Sequence, residues 1–236
     1  MAELVGAVPG SALAIYAHPD DPEVSCGGTL ARWAAAGAVV DVCVCAEGDK
    51  GSLDPDVDPI ELAARRRKEV EAAGAVLGVR AHHHFGYLDG ELEDGADLRA
   101  RVVALIRQVQ PEVVVCPDPT AIFFGQRYAN HRDHRVVGWS VLDAVTPAAG
   151  NPHYFPDAGP AYQPEALYLS GTLEPDVWVD ITDTIDVKAE ALSRHASQVE
   201  QPGEWLRSVV RQRAEAGGRQ AGVRYAEGFR RLLLGA

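Results

Sequence analysis

The chain has 236 residues, 47% of them hydrophobic, a length and composition that suit one large domain with a sizeable core. Lysine and arginine together number 22 and aspartate and glutamate 34, so the formal net charge is −12. This acidic balance argues against a nucleic acid partner, because binding to a phosphate backbone depends on cationic side chains.

Secretion and membrane insertion are not indicated by the sequence. The N-terminus lacks a basic region followed by a long apolar stretch, and no apolar run approaches the ~18 residues that cross a bilayer. The four cysteines, at positions 26, 43, 45 and 116, form no CxxC pair, which argues against a zinc knuckle or a redox pair. We therefore expect a reduced, cytoplasmic protein without a membrane span.

Predicted strands and helices alternate along the first half of the chain. Strands are expected at 12–17, 38–46, 81–88 and 112–119. The helices between them are expected at 27–37, 60–79 and 97–111. Such alternation predicts βαβ units and a mostly parallel sheet.

The second half is less regular but continues the same domain. Segments 165–171 and 177–182 read as two further strands, for which an antiparallel arrangement is one option. Helices are expected at 185–200 and 203–217. We predict one domain over 1–236, in which a core at about 12–146 is completed by the strands and helices of 147–236.

The segment HPDD, His18 to Asp21, follows the first predicted strand directly. A histidine and an aspartate three residues apart on a tight loop can reach one ion. Two adjacent carboxylates raise each other's pKa unless a cation is near, so one aspartate can bind an ion while the other acts as a base. The alternative is a solvated turn.

A second polar segment, NHRDHR, follows the strand at 112–119 after a loop. His131 and His134 lie three residues apart where a helix is expected to begin, so they share a face. Asp133 can hydrogen-bond an imidazole, fix its tautomer and raise its pKa. The alternative is a polar helix start.

Both segments are expected at the same edge of one sheet, because ligand sites of open α/β sheets form at the carboxyl ends of the strands. His, Asp and His supply three ligands and leave one position for water, as in catalytic zinc sites. Water bound to zinc is acidified and can attack a carbonyl. Together the segments predict a hydrolytic metal site.

Four stretches, spread over roughly residues 12 to 200, carry a family resemblance: AHPDD with GG shortly after, RRRKEVEAAGAVLGV, HRDH, and KAEALSRHASQ. On these motifs the chain resembles the zinc-dependent PIG-L (LmbE-like) N-acetylglucosamine deacetylases. The family pattern has Glu directly after the two aspartates, where this chain has Pro22 followed by Glu23. It also commonly has HPDH, where Arg132 here replaces the proline.

The resemblance implies a metal-ligand set of His18, Asp21 and His134. It implies one Zn²⁺ per subunit, with other divalent first-row metals as alternatives.

The resemblance also implies the groups that act on the substrate. Asp20 matches the general base, and His131 matches the imidazolium that stabilises the oxyanion or protonates the leaving amine. Asp133 matches its orienting partner. Arg66 looks like the substrate-binding arginine, although Arg65 and Arg67 compete for that alignment.

The fold implied is a Rossmann-like three-layer α/β fold, LmbE-like, with a mostly parallel sheet flanked by helices. The function implied is hydrolysis of the N-acetyl group of an N-acetylglucosamine-type amino sugar or its conjugate, releasing acetate and a free amine. An amidase acting on a mycothiol-type sugar–thiol conjugate is the alternative. The partner is a small N-acetylated sugar, and the resemblance implies a homo-oligomer, a trimer or a hexamer.

Two other classes of protein are alternatives to an enzyme of this family, and the roles of His195 and of the loop at 150–164 are not determined by the motifs. A nucleotide-binding module is disfavoured because HPDDPEVSCGG is not GxGxxG, and a non-enzymatic metal protein would keep the ligands for stability. His195 is expected either to be structural or to support the residues of the site from behind. The aromatic loop at 150–164 is expected either to cover a sugar ring or to contact another subunit.

Overall fold

The structure, a computed structural model, describes residues 3–126, 128–198 and 204–235. One eight-stranded sheet forms its centre, and a two-stranded hairpin lies apart from it. The strands are β1 (Glu3–Leu4), β2 (Ser11–Tyr16), β3 (Val39–Ala46), β4 (Ala81–Tyr87), β5 (Val113–Pro117), β6 (Phe123–Phe124), β7 (Tyr128–Ala129), β8 (Ala166–Ser170), β9 (Val177–Asp180) and β10 (Ala226–Leu233). The helices are α1 (Asp21–Ala35), α2 (Pro59–Leu77), α3 (Ala96–Val109), α4 (Arg132–Asp143), α5 (Ile185–Ser193) and α6 (Glu204–Ala221).

The strand order in the sheet is β1-β9-β10-β8-β5-β2-β3-β4. Five neighbouring strands form a parallel block: β2 pairs with β3 and β5, β3 with β4, and β5 with β8. The alternation of strands and helices in the sequence predicts this parallel arrangement. From β2 the chain moves to β3 on one side and later to β5 on the other, so the order reverses between β2 and β5. Ligand sites form at such switch points, outside the carboxyl ends of the strands.

Strand β10 is the main departure from the sequence prediction. It was not predicted, and it lies between β8 and β9, antiparallel to both. The option that β8 and β9 pair antiparallel with each other is therefore wrong. The polar residues of β10 hide its strand pattern, because partners distant in sequence hold them: Glu227 pairs with Lys188, and Arg231 with Glu3.

The two largest apolar clusters of the described core lie one on each face of the sheet, and a small third one joins α1, α2 and α5. Alternate residues of β2 face opposite ways, with Ala14 and Tyr16 in one cluster and Leu13 and Ile15 in the other. Helices α1, α2, α5 and α6 contribute to the first cluster, and α3 and α4 to the second. The three-layer fold with a mostly parallel sheet is therefore confirmed.

Helix α1 begins earlier than predicted, at Asp21 rather than near residue 27. It bends at Cys26, whose backbone is not helical, and the next amides, those of Gly28 and Thr29, donate to the carboxylate of Glu227 at 3.1 and 2.7 Å. A Cβ at Gly28 would lie 2.7 Å from Ile181, so the glycine permits close packing of α1 against the segment after β9.

The other helix boundaries follow local signals more closely. Helix α2 starts after Asp58, whose carboxylate accepts from the backbone amide of Ile60 at 2.8 Å, and it ends at Gly78 in the left-handed conformation. Helix α5 ends at Ser193, short of the predicted end at 200. Residues 199, 200 and 203 of the predicted helices lie outside the described residues.

No helix among the described residues combines the length and the apolar character that crossing a membrane requires.

Candidate active site

The HPDD segment forms a tight turn directly after β2. Asp20 adopts a left-handed backbone conformation with φ of 94°, which is strained for a residue with a Cβ. The turn brings Asp21 back towards His18, whose backbone amide donates to Asp21 Oδ2 at 2.8 Å. Arg66 holds the turn from α2, donating to the carbonyl of Pro19 at 2.6 Å. The strained turn thus presents a histidine and two carboxylates at the switch point.

Three donor atoms converge where the sequence predicts metal ligands. His18 Nδ1 lies 3.2 Å from His134 Nε2 and 3.4 Å from Asp21 Oδ2. His134 Nε2 lies 3.2 Å from Asp21 Oδ1. Ligands about 2.05 Å from a tetrahedral ion are separated by about 3.3 Å. The observed spacing therefore fits a small divalent cation such as Zn²⁺.

The second nitrogen of each imidazole faces a group that fixes the tautomer. His134 Nδ1 donates to Asn130 Oδ1 at 2.9 Å, which leaves a lone pair on Nε2. His18 Nε2 lies between two carboxylates, 3.0 Å from Asp89 Oδ1 and 3.4 Å from Asp133 Oδ2, without the alignment of a straight hydrogen bond to either. The carboxylates favour a proton on Nε2, which leaves Nδ1 for an ion.

Without a cation, the cluster binds protons strongly. Burial opposes the charged form of His18, but Asp133, Asp21 and Asp89 together raise its pKa to about 12. Burial also disfavours the charged carboxylate of Asp21, yet the charges of His134 and His18 hold its pKa well below the usual range. A histidine held as a cation against an ionised carboxylate marks a site where a metal ion can replace a proton.

Asp20 stands next to the ligands but turns towards α2. Its Oδ2 accepts from Arg66 Nη2 at 3.2 Å. Burial and the charge of Asp21 raise the pKa of Asp20 to about 6, against the opposing charge of Arg66. A carboxylate with a pKa near the working pH suits a general base.

Arg66 is buried, with 3% of its surface exposed, and its guanidinium also donates to the carbonyl of Gly48 at 3.1 Å. The structure shows Arg66 in contact with the turn and with Asp20, so it supports these two. The predicted contact of Arg66 with a substrate stays a prediction.

His131 caps α4 at the exposed side of the cluster. The backbone amide of Asp133 donates to His131 Nδ1 at 3.2 Å, so Nε2 carries the proton of the neutral ring. Its ring centroid lies 4.8 Å from that of His18. Burial and the charge of His18 lower the pKa of His131, and they outweigh the negative charge of Asp133, which raises it as the sequence predicts.

The carboxylate of Asp133 is fully buried and makes a different contact from the one expected. It accepts from the backbone amide of Gly90 at 2.7 Å and faces His18 Nε2. Among the described residues it makes no hydrogen bond to the imidazole of His131, on which it acts through its charge, so the orientation of His131 by this carboxylate stays a prediction. The nearest imidazole to this carboxylate is that of His18, with Nε2 3.4 Å from Asp133 Oδ2.

Asp89 was missed by the sequence reasoning. It follows β4 at the same edge of the sheet, and the backbone amide of Asp89 donates to Asp49 Oδ1 at 2.8 Å. A carboxylate just beyond the end of a parallel strand was the signal that could have identified it. The neighbouring histidines 82–84 do not join the site; His83 pairs with Asp41 instead.

His195 lies behind the site, fully buried, with Nε2 3.2 Å from Glu23 Oε2. Ser197, two residues on, donates to Glu69 Oε2 at 2.5 Å. The segment thus ties the end of α5 to α1 and α2. This placement is consistent with the structural role expected for His195.

A cavity of about 620 Å³ is lined by Asp21 and His134, two of the predicted metal ligands. Its volume lies within the range of about 300–1,000 Å³ typical of ligand pockets. Phe124 and Tyr128 of the β6–β7 hairpin line one side, and the cavity extends past Trp178 to α6. The open end therefore provides room for a substrate considerably larger than an acetamide group.

The aromatic loop at 150–164 takes no part in this cavity as far as the described residues show. Arg107, on α3, holds it by donating to backbone carbonyls of the segment 148–159. The expectation that this loop covers a sugar ring receives no support from the cavity of this chain.

The fold is a mostly parallel α/β sheet, and a His–Asp–His cluster able to hold a metal ion lies at its switch point. This combination is typical of metal-dependent hydrolases. The sequence model of the PIG-L family, described as GlcNAc-PI de-N-acetylase, matches residues 13–145. The chain belongs to this family.

Curated relatives support the same class. The chain is 34% identical to diacetylchitobiose deacetylase of Thermococcus kodakarensis, over 92% of this chain and 81% of that one. It is 32% identical to 1D-myo-inositol 2-acetamido-2-deoxy-alpha-D-glucopyranoside deacetylase of Rhodococcus jostii, over 79% of this chain and 81% of the relative.

Among solved structures, the fold matches N,N'-diacetylchitobiose deacetylase from Pyrococcus horikoshii, complexed with its inhibitor MPG, with a TM-score of 0.86 and 31% identity. The match covers 95% of this chain and 84% of that one. The predicted family and the predicted class of enzyme, a hydrolase acting on an amide, are confirmed.

Proposed function

We propose that this protein removes the acetyl group from an N-acetylglucosamine-type amino sugar, releasing acetate and a free amine. The observation that carries the proposal is the cluster of His18, Asp21 and His134 beside the cavity: each pair of these side chains has donor atoms 3.2–3.4 Å apart, with His18 facing Oδ2 and His134 facing Oδ1 of Asp21. The deacetylases to which the chain is similar act on such sugars, by their names.

The proposed cofactor is one Zn²⁺ per chain. Two imidazoles and one carboxylate, with a fourth position left for water, form a donor set typical of catalytic zinc sites, although other divalent first-row metals accept the same ligands. When bound, the ion supplies a Lewis acid for the amide carbonyl and lowers the pKa of water.

Asp20 is the proposed base. Its carboxylate adjoins the ligand Asp21 without sharing its contacts, and Arg66 fixes its orientation at 3.2 Å. It accepts a proton from the attacking water and is then placed to return it towards the nitrogen of the leaving amine.

His131 is the proposed donor to the carbonyl oxygen. The backbone amide of Asp133 occupies its Nδ1, so Nε2–H is the group available to the substrate. A hydrogen bond that strengthens as negative charge develops on the carbonyl oxygen lowers the barrier to attack.

The cavity supports an amino sugar that carries a further group. Trp178, together with Arg213 and Gln220 of α6, lines the same cavity as Asp21 and His134. A second sugar or an inositol ring offers hydroxyl groups to such side chains. A mycothiol-type sugar–thiol conjugate is the second candidate, favoured by the similarity to the inositol-linked deacetylase.

The test couples metal analysis with an amine-release assay. Metal-stripped protein is reloaded with Zn²⁺ and assayed on N-acetylglucosamine, N,N'-diacetylchitobiose, the inositol-linked sugar and a thiol conjugate. We expect release of one amine per acetate, only after reloading. Binding of one metal ion without amine release from any acetylated amine would instead support a non-enzymatic metal protein.

The homo-oligomer, a trimer or a hexamer, stays a prediction from the resemblance. Light scattering during size-exclusion chromatography measures the mass against the 25.3 kDa of one chain.

A further inference from the structure

The β6–β7 hairpin is a small element whose position matters to the cavity. Only two residue pairs join its strands, Phe123 with Ala129 and Phe124 with Tyr128. The rings of Phe124 and Tyr128 lie 5.8 Å apart, and both side chains line the cavity. An isolated two-stranded hairpin is at best marginally stable in water. Contacts at its base therefore determine the position of the Phe124 and Tyr128 side chains.

Asn130 makes those contacts. Its backbone amide donates to the carbonyl of Ile122 at 2.7 Å, and its side-chain Nδ2 donates to the carbonyl of Ala121 at 2.9 Å. Because a carbonyl only accepts, the amide group of Asn130 has a fixed orientation, with Nδ2 towards Ala121 and Oδ1 on the other side. The residue therefore closes the hairpin with both backbone and side chain.

The free end of the same amide meets a metal ligand. Asn130 Oδ1 accepts from His134 Nδ1 at 2.9 Å, and His134 Nε2 is one of the three converging donor atoms. The carboxylates that could have served His134 in this way face elsewhere, since Asp89 and Asp133 point to His18. Asn130 is thus the partner that sets the tautomer and the ring orientation of His134.

We propose that Asn130 is a positioning residue that couples the β6–β7 hairpin to the metal centre. A metal ion bound to His134 holds the imidazole in one orientation, and the imidazole in turn orients the side-chain amide of Asn130. The oriented amide then holds the base of the hairpin through its bond to Ala121. Coupling of this kind is reciprocal, so a substrate that packs against Phe124 and Tyr128 also increases metal affinity. The inference rests on the proposed metal site, but not on the identity of the substrate.

Two substitutions separate the two ends of the side chain. Asn130→Ala removes the acceptor for His134 and the donor to Ala121. Asn130→Asp keeps the acceptor and removes only the donor. Loss of a hydrogen-bond partner of a metal-bound histidine typically costs 10- to 100-fold in metal affinity. Asn151→Ala is the matched control, because this second asparagine also makes a local side-chain bond, to the amide of His153, away from the site.

The first readout is zinc affinity, measured by competition with a chromophoric chelator on the full chain without substrate. We expect Asn130→Ala to lose 10- to 100-fold, Asn130→Asp to equal or exceed the wild-type affinity, and Asn151→Ala to match it. If Asn130→Ala binds zinc as tightly as the wild type, the contact with His134 does not position the ligand and the proposal is overturned.

The second readout is amide hydrogen exchange of peptides spanning 121–130, with and without Zn²⁺. In the wild type we expect the metal to slow exchange there, and in both Asn130 variants we expect this effect to be lost. Metal-independent exchange in the wild type overturns the coupling. Both readouts need no turnover, so zinc binding without deacetylation would refute the proposed function alone, whereas absence of zinc binding would refute both.

Discussion

The ring nitrogens of His18 and His134 face each other at 3.2 Å, although the residues are 116 positions apart in the chain. Each ring has a group on its other nitrogen that favours a proton there, namely Asp89 and Asp133 for His18 and Asn130 for His134. Two lone pairs directed at each other repel unless a proton or a cation lies between them. The pair therefore defines the metal centre more sharply than either motif does alone.

Metal binding is expected to release about one proton per ion near pH 7. The carboxylates around His18 raise its pKa to about 12, so the metal-free ring carries a proton throughout the neutral range, and the incoming ion must displace it. Apparent metal affinity should consequently rise about tenfold for each pH unit from roughly 6 to 9. Calorimetric titration of Zn²⁺ in buffers with different ionisation enthalpies measures the release. Heats that are independent of the buffer would contradict the assignment of His18.

Asp20 and Asp21 should respond differently to the same substitution. Asp20→Asn should retain one zinc per chain and lose about 10²- to 10⁴-fold in kcat, because the base is removed while the ligands remain. Asp21→Asn should lose metal, because its Oδ1 is one of the three converging donors. Metal content by mass spectrometry and amine release on the same samples compare the two. Full activity of Asp20→Asn would exclude it as the base.

The far end of the cavity should distinguish short from extended substrates. Arg213 and Gln220 line the cavity from α6, a helix that carries none of the proposed metal ligands. Loss of one hydrogen bond costs about 0.5–1.5 kcal/mol, so Arg213→Ala or Gln220→Ala should lower kcat/KM for N,N'-diacetylchitobiose by about 2- to 12-fold. The effect on N-acetylglucosamine should be smaller. The neighbouring Arg219→Ala is the control, and equal losses on both substrates would place the second ring elsewhere.

Arg107 should matter for stability rather than for catalysis. Its buried guanidinium donates to six backbone carbonyls of the segment 148–159. Arg107→Ala leaves several of these acceptors without partners and should cost about 3 kcal/mol of unfolding free energy. Arg99→Ala on the same helix removes only contacts near the surface and should change stability by less than about 1 kcal/mol. Urea unfolding followed by circular dichroism compares them. Equal urea midpoints for the two variants would contradict the larger contribution of Arg107 to stability.

Local sequence was sufficient where a few neighbouring residues dictate the backbone. The alternation of strands and helices predicted the parallel part of the sheet, because the spacing of apolar residues within each segment shows whether that segment is a strand or a helix. The HPDD turn and the start of α4 were predicted as chemical sites because their polar residues follow strands. The beginning of α1 was missed, because the bend at Cys26 is held by Glu227, some 200 residues away.

The sequence by itself determined the parallel part of the sheet, the loops at its carboxyl edge that carry the HPDD and NHRDHR segments, and the residues of those segments able to bind an ion. Only the tertiary structure decided which groups serve those residues: Asp89 and Asp133 turn to His18, Asn130 to His134, and Arg66 to Asp20. It also decided that β10 enters the sheet between β8 and β9. The physical reason is that burial patterns and turns arise from short-range backbone preferences, whereas the partner of a polar side chain depends on distances between elements far apart in the chain.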